Sequence, residues 1–380
     1  MKKILAVAGI NLLLLLPVLY GAEYFLRSRE RVEPRDTYLR LGWKPLMPVW
    51  MGEVARLQDA SRSSVLGGIP RQKTYLCDDG YGAVVYTSDH LGFRSSLADY
   101  SAGAPYDVVL VGDSFLHGWC HQVGLAEHLR STGRRVVNTA IAGSHPYQYS
   151  SVIRQIIANP RPPKIAILGI YLGNDYGTCS GCEKRYSLAN ETIERLYEYS
   201  PQLSRHVLRD RPQTRAYYAA LAALQDEKTK QLIGESTRQF LKLGELRRFL
   251  RGLFSMSRDT TVARRSDLNP DVLVSPKPVE QSVVDLLRVC RAQNACKPIL
   301  VTIPSNEPGE STGLRARIRA QHMEIIERAI AVNPSVIHID LGRRDAGIRD
   351  CSYPLYDQPG KHLSLAGQRC MNEMVANAVR

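Results

Sequence analysis

From Asp107 onward, short uninterrupted apolar runs alternate with segments of helical period. The runs at 108–111, 135–138, 164–171, 297–303 and 335–341 are four to eight residues long and rich in Val and Ile, as strands buried on both faces are. Between and after them, apolar positions recur every three to four residues over 123–131, 147–158, 280–293, 312–332 and 363–379, which predicts helices. Strands alternating with helices predict an α/β fold with a parallel sheet covered on both faces. The expectation is a three-layer α/β/α sandwich around a central, mostly parallel five-stranded sheet. A shorter strand is expected at 83–86, just before Asp89-His90-Leu91-Gly92-Phe93-Arg94.

Two regions depart from this rhythm. Residues 185–275 interrupt the alternation with helix-prone sequence, as in 219–224 and 240–250, and read as a helical insertion. At the other end, Met1-Lys2-Lys3 precedes an uncharged apolar run from Ile4 to Ala22. Nineteen such residues match the roughly 20 that a membrane-crossing helix needs. The run is longer than an ordinary signal core, and a cut after Ala22 or Gly21 puts Tyr20 or Leu19 at −3 where a small residue belongs, so residues 1–22 read as an uncleaved anchor, with a cleaved signal as the alternative. Residues 23–70 read as a juxtamembrane linker followed by irregular packing, and 71–380 as the main domain.

Composition narrows the classes. The 380 residues are 44% hydrophobic and 23% charged, which excludes a wholly disordered chain. Fifty Lys and Arg against 37 Asp and Glu give a net charge of +13. Residues 201–270 hold 14 basic and 7 acidic side chains, over half of that surplus. A basic helical insertion is either a solvated face or a surface for an anionic polymer or lipid headgroups. Nucleic-acid motifs are missing from it, so no nucleic-acid partner is expected.

Eight cysteines behind an export-type segment suit disulfides in an oxidising compartment. Local spacing pairs Cys290 with Cys296 and Cys351 with Cys370. Cys179 and Cys182 have CxxC spacing; a structural bridge is preferred over a redox pair or half of a zinc site, because no second ligand pair completes one.

Candidate chemistry falls at the predicted strand ends, where open parallel sheets place their sites. Gly112-Asp113-Ser114 follows the 108–111 strand; a serine there is an exposed nucleophile if a base takes its proton. Residues 138–143 follow the next strand, and Gly143 lets a backbone N–H approach a substrate oxygen. Gly173-Asn174-Asp175 follows the third, where the Asn174 amide can donate to a developing oxyanion. His362 precedes the last helix, and histidine is the natural general base near neutral pH. Asp357 lies five residues before it, within loop reach of the imidazole.

These four blocks, in this order, resemble those of the SGNH (GDSL-like) hydrolases: Gly112-Asp113-Ser114, Gly143, Asn174-Asp175 and His362, the last followed by Leu363, Ser364 and Gly367. The 89–94 segment is similar to a lead-in of membrane-anchored members. The resemblance covers about 85–180 and 280–380, and it implies the flavodoxin-like fold of that family. It implies Ser114, His362 and Asp357 as catalytic residues, an oxyanion hole from the Ser114 and Gly143 amides and the Asn174 side chain, and no metal or other cofactor. Two departures stand out. Leu172 occupies the place of the third block's usual glycine, and Pro359 the place of the usual aspartate. The acid is therefore Asp357, two positions further back, with Asp350 or a carbonyl as alternatives.

The implied activity is a serine-dependent ester hydrolase or acyltransferase working through an acyl-enzyme. An anchored, basic chain suits O-acyl groups, acetyl first among them, on a cell-envelope carbohydrate outside the cytoplasm, as in a bacterial periplasm. The alternatives are a lipid esterase, a non-catalytic glycan-binding protein and a thiol oxidoreductase using Cys179 and Cys182. The sequence does not fix the oligomeric state.

Overall fold

The structure, a computed structural model, describes residues 2–29, 32–47, 68–77, 83–89, 92–95, 106–154, 163–173, 175, 212–255, 276–292, 296–305, 314–343, 347–356 and 362–380. Helices α1 (Lys2–Arg29) and α2 (Val32–Arg40) come first, then strands β1 (Lys44–Pro45), β2 (Lys73–Cys77) and β3 (Val84–Thr87). Next are β4 (Val108–Val111), α3 (Ser114–His117), α4 (Leu125–Ser131), β5 (Val136–Asn138), α5 (Pro146–Val152) and β6 (Ile165–Tyr171). They are followed by α6 (Pro212–Leu241), α7 (Gly244–Ser255), α8 (Lys277–Ala292), β7 (Lys297–Ile303), α9 (Leu314–Val332), β8 (Ile337–Asp340) and α10 (Leu365–Val379).

All five expected strands join one sheet, in the order β5-β4-β6-β7-β8. Every pairing is parallel: Val108 sits opposite Val136 on one side and Ile165 on the other, and β6 pairs with β7 from Ile165↔Lys297 to Tyr171↔Ile303. The sheet is thus wholly parallel, and its order is that of the flavodoxin-like doubly wound folds. Successive side chains point to opposite faces. Val109, Val111, Ala166 and Leu168 pack with Tyr149 of α5, Val283 and Leu286 of α8 and Ile326 of α9. Val108, Leu110, Ile165 and Ile167 pack with Leu116 of α3, Leu125 and Leu129 of α4 and Val375 of α10. Two separate apolar clusters on one sheet make the three-layer α/β/α sandwich.

The chain forms two units. The sheet unit comprises Met47–Gln72, Tyr86–Ala222 and Leu268–Arg380. The helical unit comprises Met1–Leu46, Lys73–Val85 and Ala223–Asp267. Helix α1 carries the apolar N-terminal run, and its side chains before Leu14 lie outside the described residues. Among the described residues no helix is long and apolar enough to cross a membrane. Beyond Ala22 the same helix continues to Arg29 and α2 follows, where the sequence pattern reads as linker. The reason is tertiary. Glu23 is fully buried; its carboxylate pairs with Arg27 at 3.2 Å and accepts from the Glu245 and Leu246 amides at 3.1 and 2.8 Å. It thereby satisfies free N–H groups at the start of α7, which no sequence-local cap does. Arg27 in turn donates to the Ser236 hydroxyl at 2.9 Å and to its carbonyl. Of the expected 185–275 insertion, residues 212–255 are described and are helical, with α6 and α7 breaking at Leu243, whose φ is +53°.

Cys290–Cys296 and Cys351–Cys370 are bonded as their spacing indicates. Cys77 and Cys120 are each in a disulfide, whereas Cys179 and Cys182 lie outside the described residues.

Gly169, in the middle of β6, is required by close packing. A Cβ there would lie 2.6 Å from the Leu116 side chain of α3. Gly169→Ala is expected to destabilise the protein by about 1–3 kcal/mol, the usual range for overpacking. Urea unfolding followed by circular dichroism measures it.

Candidate active site

Three strands of one parallel sheet end side by side, and their following loops meet at its carboxyl edge. The order reverses at β4, which has β5 on one side and β6 on the other. Such a switch point leaves a crevice between diverging loops. Ser114 stands there, three residues past the end of β4. Asp113 caps the short helix that Ser114 begins, its Oδ1 accepting from the Phe115 amide at 3.0 Å.

The decisive contact is Ser114 Oγ to His362 Nε2, 2.8 Å across 248 residues. Two rings from α3 and its following turn flank the imidazole. Trp119 stacks on it at 5.3 Å with 26° between planes, and Phe115 lies 5.2 Å away. The next backbone group is also held: His121 Nε2 donates to the Leu363 carbonyl at 3.0 Å. One turn, 117–122, thus fixes both the serine helix and the histidine segment.

That turn is itself clamped by Arg94, whose side chain is 5% exposed. Its guanidinium donates to the carbonyls of His117 (3.1 Å), Gly118 (2.8 Å) and His121 (3.0 Å), and pairs with Glu127 at 3.2 Å. These carbonyls lie at and just beyond the end of a four-residue helix, and that of Gly118 also accepts from the His121 amide at 3.2 Å. Gly118, at φ +75°, lets the chain reverse there. Arg94 is aimed by its own tight turn: Asp89 N donates to the Phe93 carbonyl at 2.9 Å, and Phe93 N to Asp89 Oδ1 at 3.0 Å. Within that turn Gly92 has φ +88°, and a Cβ on it would fall 1.9 Å from the Gly68 carbonyl. The Asp89–Arg94 segment, singled out in the sequence without a role, is this clamp.

Gly143 also adopts a left-handed φ, +77°. Its loop is tied to the serine loop, since the single Ser144 O–H lies between the carbonyls of Gly112 and Ile141, 2.8 Å from each. Asn138 links the same region to α3, its side-chain amide donating to the Leu116 carbonyl at 3.2 Å. Asp175 is buried, accepting from the Tyr149 hydroxyl at 3.0 Å and the Tyr171 amide at 2.7 Å. Asn174 and Asp357 lie outside the described residues. Of the residues singled out in the sequence, the structure brings Ser114 and His362 together; Arg94, Trp119, His121 and Tyr149, which pack around them, were given no role there. The signal for Arg94 was its place in a glycine-containing turn.

Burial sets the electrostatics. Desolvation raises Asp113 to about 7, against the amides it accepts from. Asp175 is pushed well above the usual carboxylate range by burial and by Asp113. His117 is held well below its ordinary value, first by burial and then by Arg94 and His362. Among the described residues, no cluster of His, Cys, Asp and Glu has the geometry of a metal site.

No protein-family model matches the chain, and no curated protein matches it. One solved structure from Streptococcus pneumonia, named as a candidate platelet activating factor, aligns at a TM-score of 0.36 and 12% identity, over 75% of this chain and 88% of that one. A likeness so low carries no argument, and the site rests on its own geometry.

Two outcomes follow. Arg94→Met removes a donor from three buried carbonyls and a charge partner from Glu127 and is expected to lower stability by about 2–4 kcal/mol, with Arg94→Lys recovering only a fraction because an ammonium cannot span the fork. Urea denaturation of the three proteins measures this. The second concerns pH. An Asp113 carboxyl raised from 3.8 to about 7 binds its proton more tightly in the folded state. Its stabilising contribution is therefore fully present below its unfolded value and is lost as pH rises through about 7. Asp113→Asn removes that loss, so its stability relative to wild type should increase between about pH 4 and 7, as measured by urea midpoints across that range.

Proposed function

We propose that the protein is a serine-dependent esterase or O-acyltransferase of SGNH type. The observation that carries this reading is the 2.8 Å contact between the Ser114 hydroxyl and the His362 imidazole at the switch point of a parallel sheet. An alcohol is a weak nucleophile until a positioned base removes its proton, and Nε2 is within reach of that proton.

In the proposed cycle His362 takes the hydroxyl proton as Ser114 Oγ bonds to the carbonyl carbon of an ester. The carbonyl electron pair moves to oxygen, giving a tetrahedral oxyanion. The Ser114 and Gly143 amides and the Asn174 side chain are its donors in this reading. Collapse expels the alcohol, which takes the proton back from His362, and leaves an acyl-serine. Water, or a hydroxyl of an acceptor, then repeats the sequence in reverse with His362 again as base. Trp119 and Phe115 hold the imidazole in line throughout, while Asp357 orients its far nitrogen and favours the imidazolium.

The substrate class in this reading is an O-acylated, first of all O-acetylated, carbohydrate of the cell envelope. The apolar segment Ile4 to Ala22 and the bridges Cys290–Cys296 and Cys351–Cys370 support an anchored chain in an oxidising, extracytoplasmic compartment.

A fluorophosphonate probe is expected to label the wild type at Ser114, and Ser114→Ala to abolish the labelling. Turnover of p-nitrophenyl acetate should fall by about 10³-fold or more in Ser114→Ala and His362→Gln, since the two act as one unit. Unchanged turnover in Ser114→Ala would refute the assignment. An intact wild type that neither labels nor turns over would favour a binding protein.

A further inference from the structure

The basic helical insertion has no part in the chemistry above. Its surface is unusual in a second respect. Ten of the fourteen large apolar side chains exposed among the described residues belong to the helical unit. They include Val18, Tyr24 and Phe25 on α1, Leu241 at the end of α6, and Phe249 and Leu250 on α7. Leu241 is 62% exposed and Phe249 48%. Large apolar groups this open to water mark a surface that meets something apolar.

Specific contacts fix the helix segments that carry these groups. The Tyr20 hydroxyl donates to the Leu241 carbonyl at 3.1 Å, and the Tyr20 ring lies 5.4 Å from Phe240. One turn further along α1, Glu23 caps the start of α7. The end of α6 and the start of α7 are thereby fixed beside residues 20–27 of α1, where its uncharged run ends. The charge around them is basic. Residues 212–255 hold eight Lys and Arg against four Asp and Glu. Of the four acids, Glu245 is buried and Asp226 pairs with Lys44. Lys230, Arg238 and Lys242 line one groove along α6, with Glu235 among them.

We propose that the helical unit binds an anionic phospholipid bilayer through α7 and the α6–α7 turn, at the level where α1 enters the membrane. Exposed aromatic and leucine side chains flanked by lysine and arginine are the composition of a helix lying in the headgroup layer. The long basic side chains reach lipid phosphates while their stems stay among apolar groups. The buried Glu23–Arg27 pair is the latch. It fixes the depth of α7 relative to α1, so the two enter the interface together. A soluble anionic polymer would meet the same basic groups but gives no reason for Leu241, Phe249 and Leu250 to face water. This inference rests on the reading of Ile4 to Ala22 as a membrane anchor and not on the reaction at Ser114.

The test uses the full chain reconstituted into vesicles of phosphatidylcholine with about 30% phosphatidylglycerol, and into phosphatidylcholine alone. Phe249→Trp and Leu241→Trp report on the proposed surface. Val332→Trp, at an exposed position of the sheet unit, is the control. The emission of the unsubstituted protein, from Trp43, Trp50 and Trp119, is subtracted. The added emission at 241 and 249 should shift to the blue and drop about twofold when the acyl chains carry bromine, with no change at 332. In Lys230→Gln/Arg238→Gln/Lys242→Gln, quenching at 249 in the anionic vesicles should fall to the phosphatidylcholine level. Emission at 241 and 249 that ignores bromine, in a protein that still floats with the vesicles, overturns the proposal and leaves α1 as sole anchor. A response to soluble polygalacturonate but not to vesicles overturns it in favour of a glycan surface.

Discussion

Everything at the candidate site depends on the parallel alignment of β4 with its two neighbours. In a parallel sheet every strand delivers its next loop to the same edge. Val108 is opposite both Val136 and Ile165, so β4, β5 and β6 start level and release their loops side by side. A serine after β4 and a glycine loop after β5 become neighbours for that reason alone. The histidine arrives from the far end of the chain, carried by a helix that packs on the same sheet through Met371, Val375 and Val379. Burial of that apolar face brings residue 362 to residue 114. The 2.8 Å hydrogen bond is its consequence rather than its cause.

Delivering two side chains to one place does not align them. A hydroxyl and an imidazole exchange a proton only when both are held. The turn at 117–122 does the holding on this molecule. It continues from the serine helix, stacks Trp119 on the imidazole and ties His121 to the backbone beside it. A reversal this tight exposes carbonyls that a longer helix would satisfy. Arg94 supplies donors to three of them from within the protein, where water does not compete. Burying a guanidinium is unfavourable unless its charge and N–H groups are compensated; here backbone carbonyls accept from the two terminal nitrogens, and Glu127 balances the charge at 3.2 Å from Nε.

What the sequence disclosed follows from the range of the forces involved. Strands β4 and β7 were legible to the residue, because an uninterrupted β-branched run has one economical home, the middle of a covered parallel sheet. Ser114, Gly143 and His362 were legible because each type is needed at a strand or helix end, where backbone geometry is restrictive. The α6–α7 break at Leu243 was not, since the helical period continues across it and only the cap from Glu23 favours a restart. Glu23 and Arg27 looked like ordinary charges of a linker for the same reason: their partners are more than 200 residues away. Arg94 bonds to carbonyls, which every residue possesses, so no side-chain pattern announces its partners.

Arg94 and Glu23 share a physical logic. Each is a charge placed where chain ends or turns leave backbone groups unpaired, amides at the start of α7 for Glu23 and carbonyls after α3 for Arg94. A neutral side chain would offer a weaker bond to the same groups. A charge left there without them would be expelled to water. The two halves of each arrangement therefore stabilise each other and disfavour alternatives in which either stands alone. Where such a joint sits next to the Ser114–His362 contact, as Arg94 does, it fixes geometry. Where it sits at the end of an uncharged helix, as Glu23 does, it fixes the position of the amphipathic helix beside it.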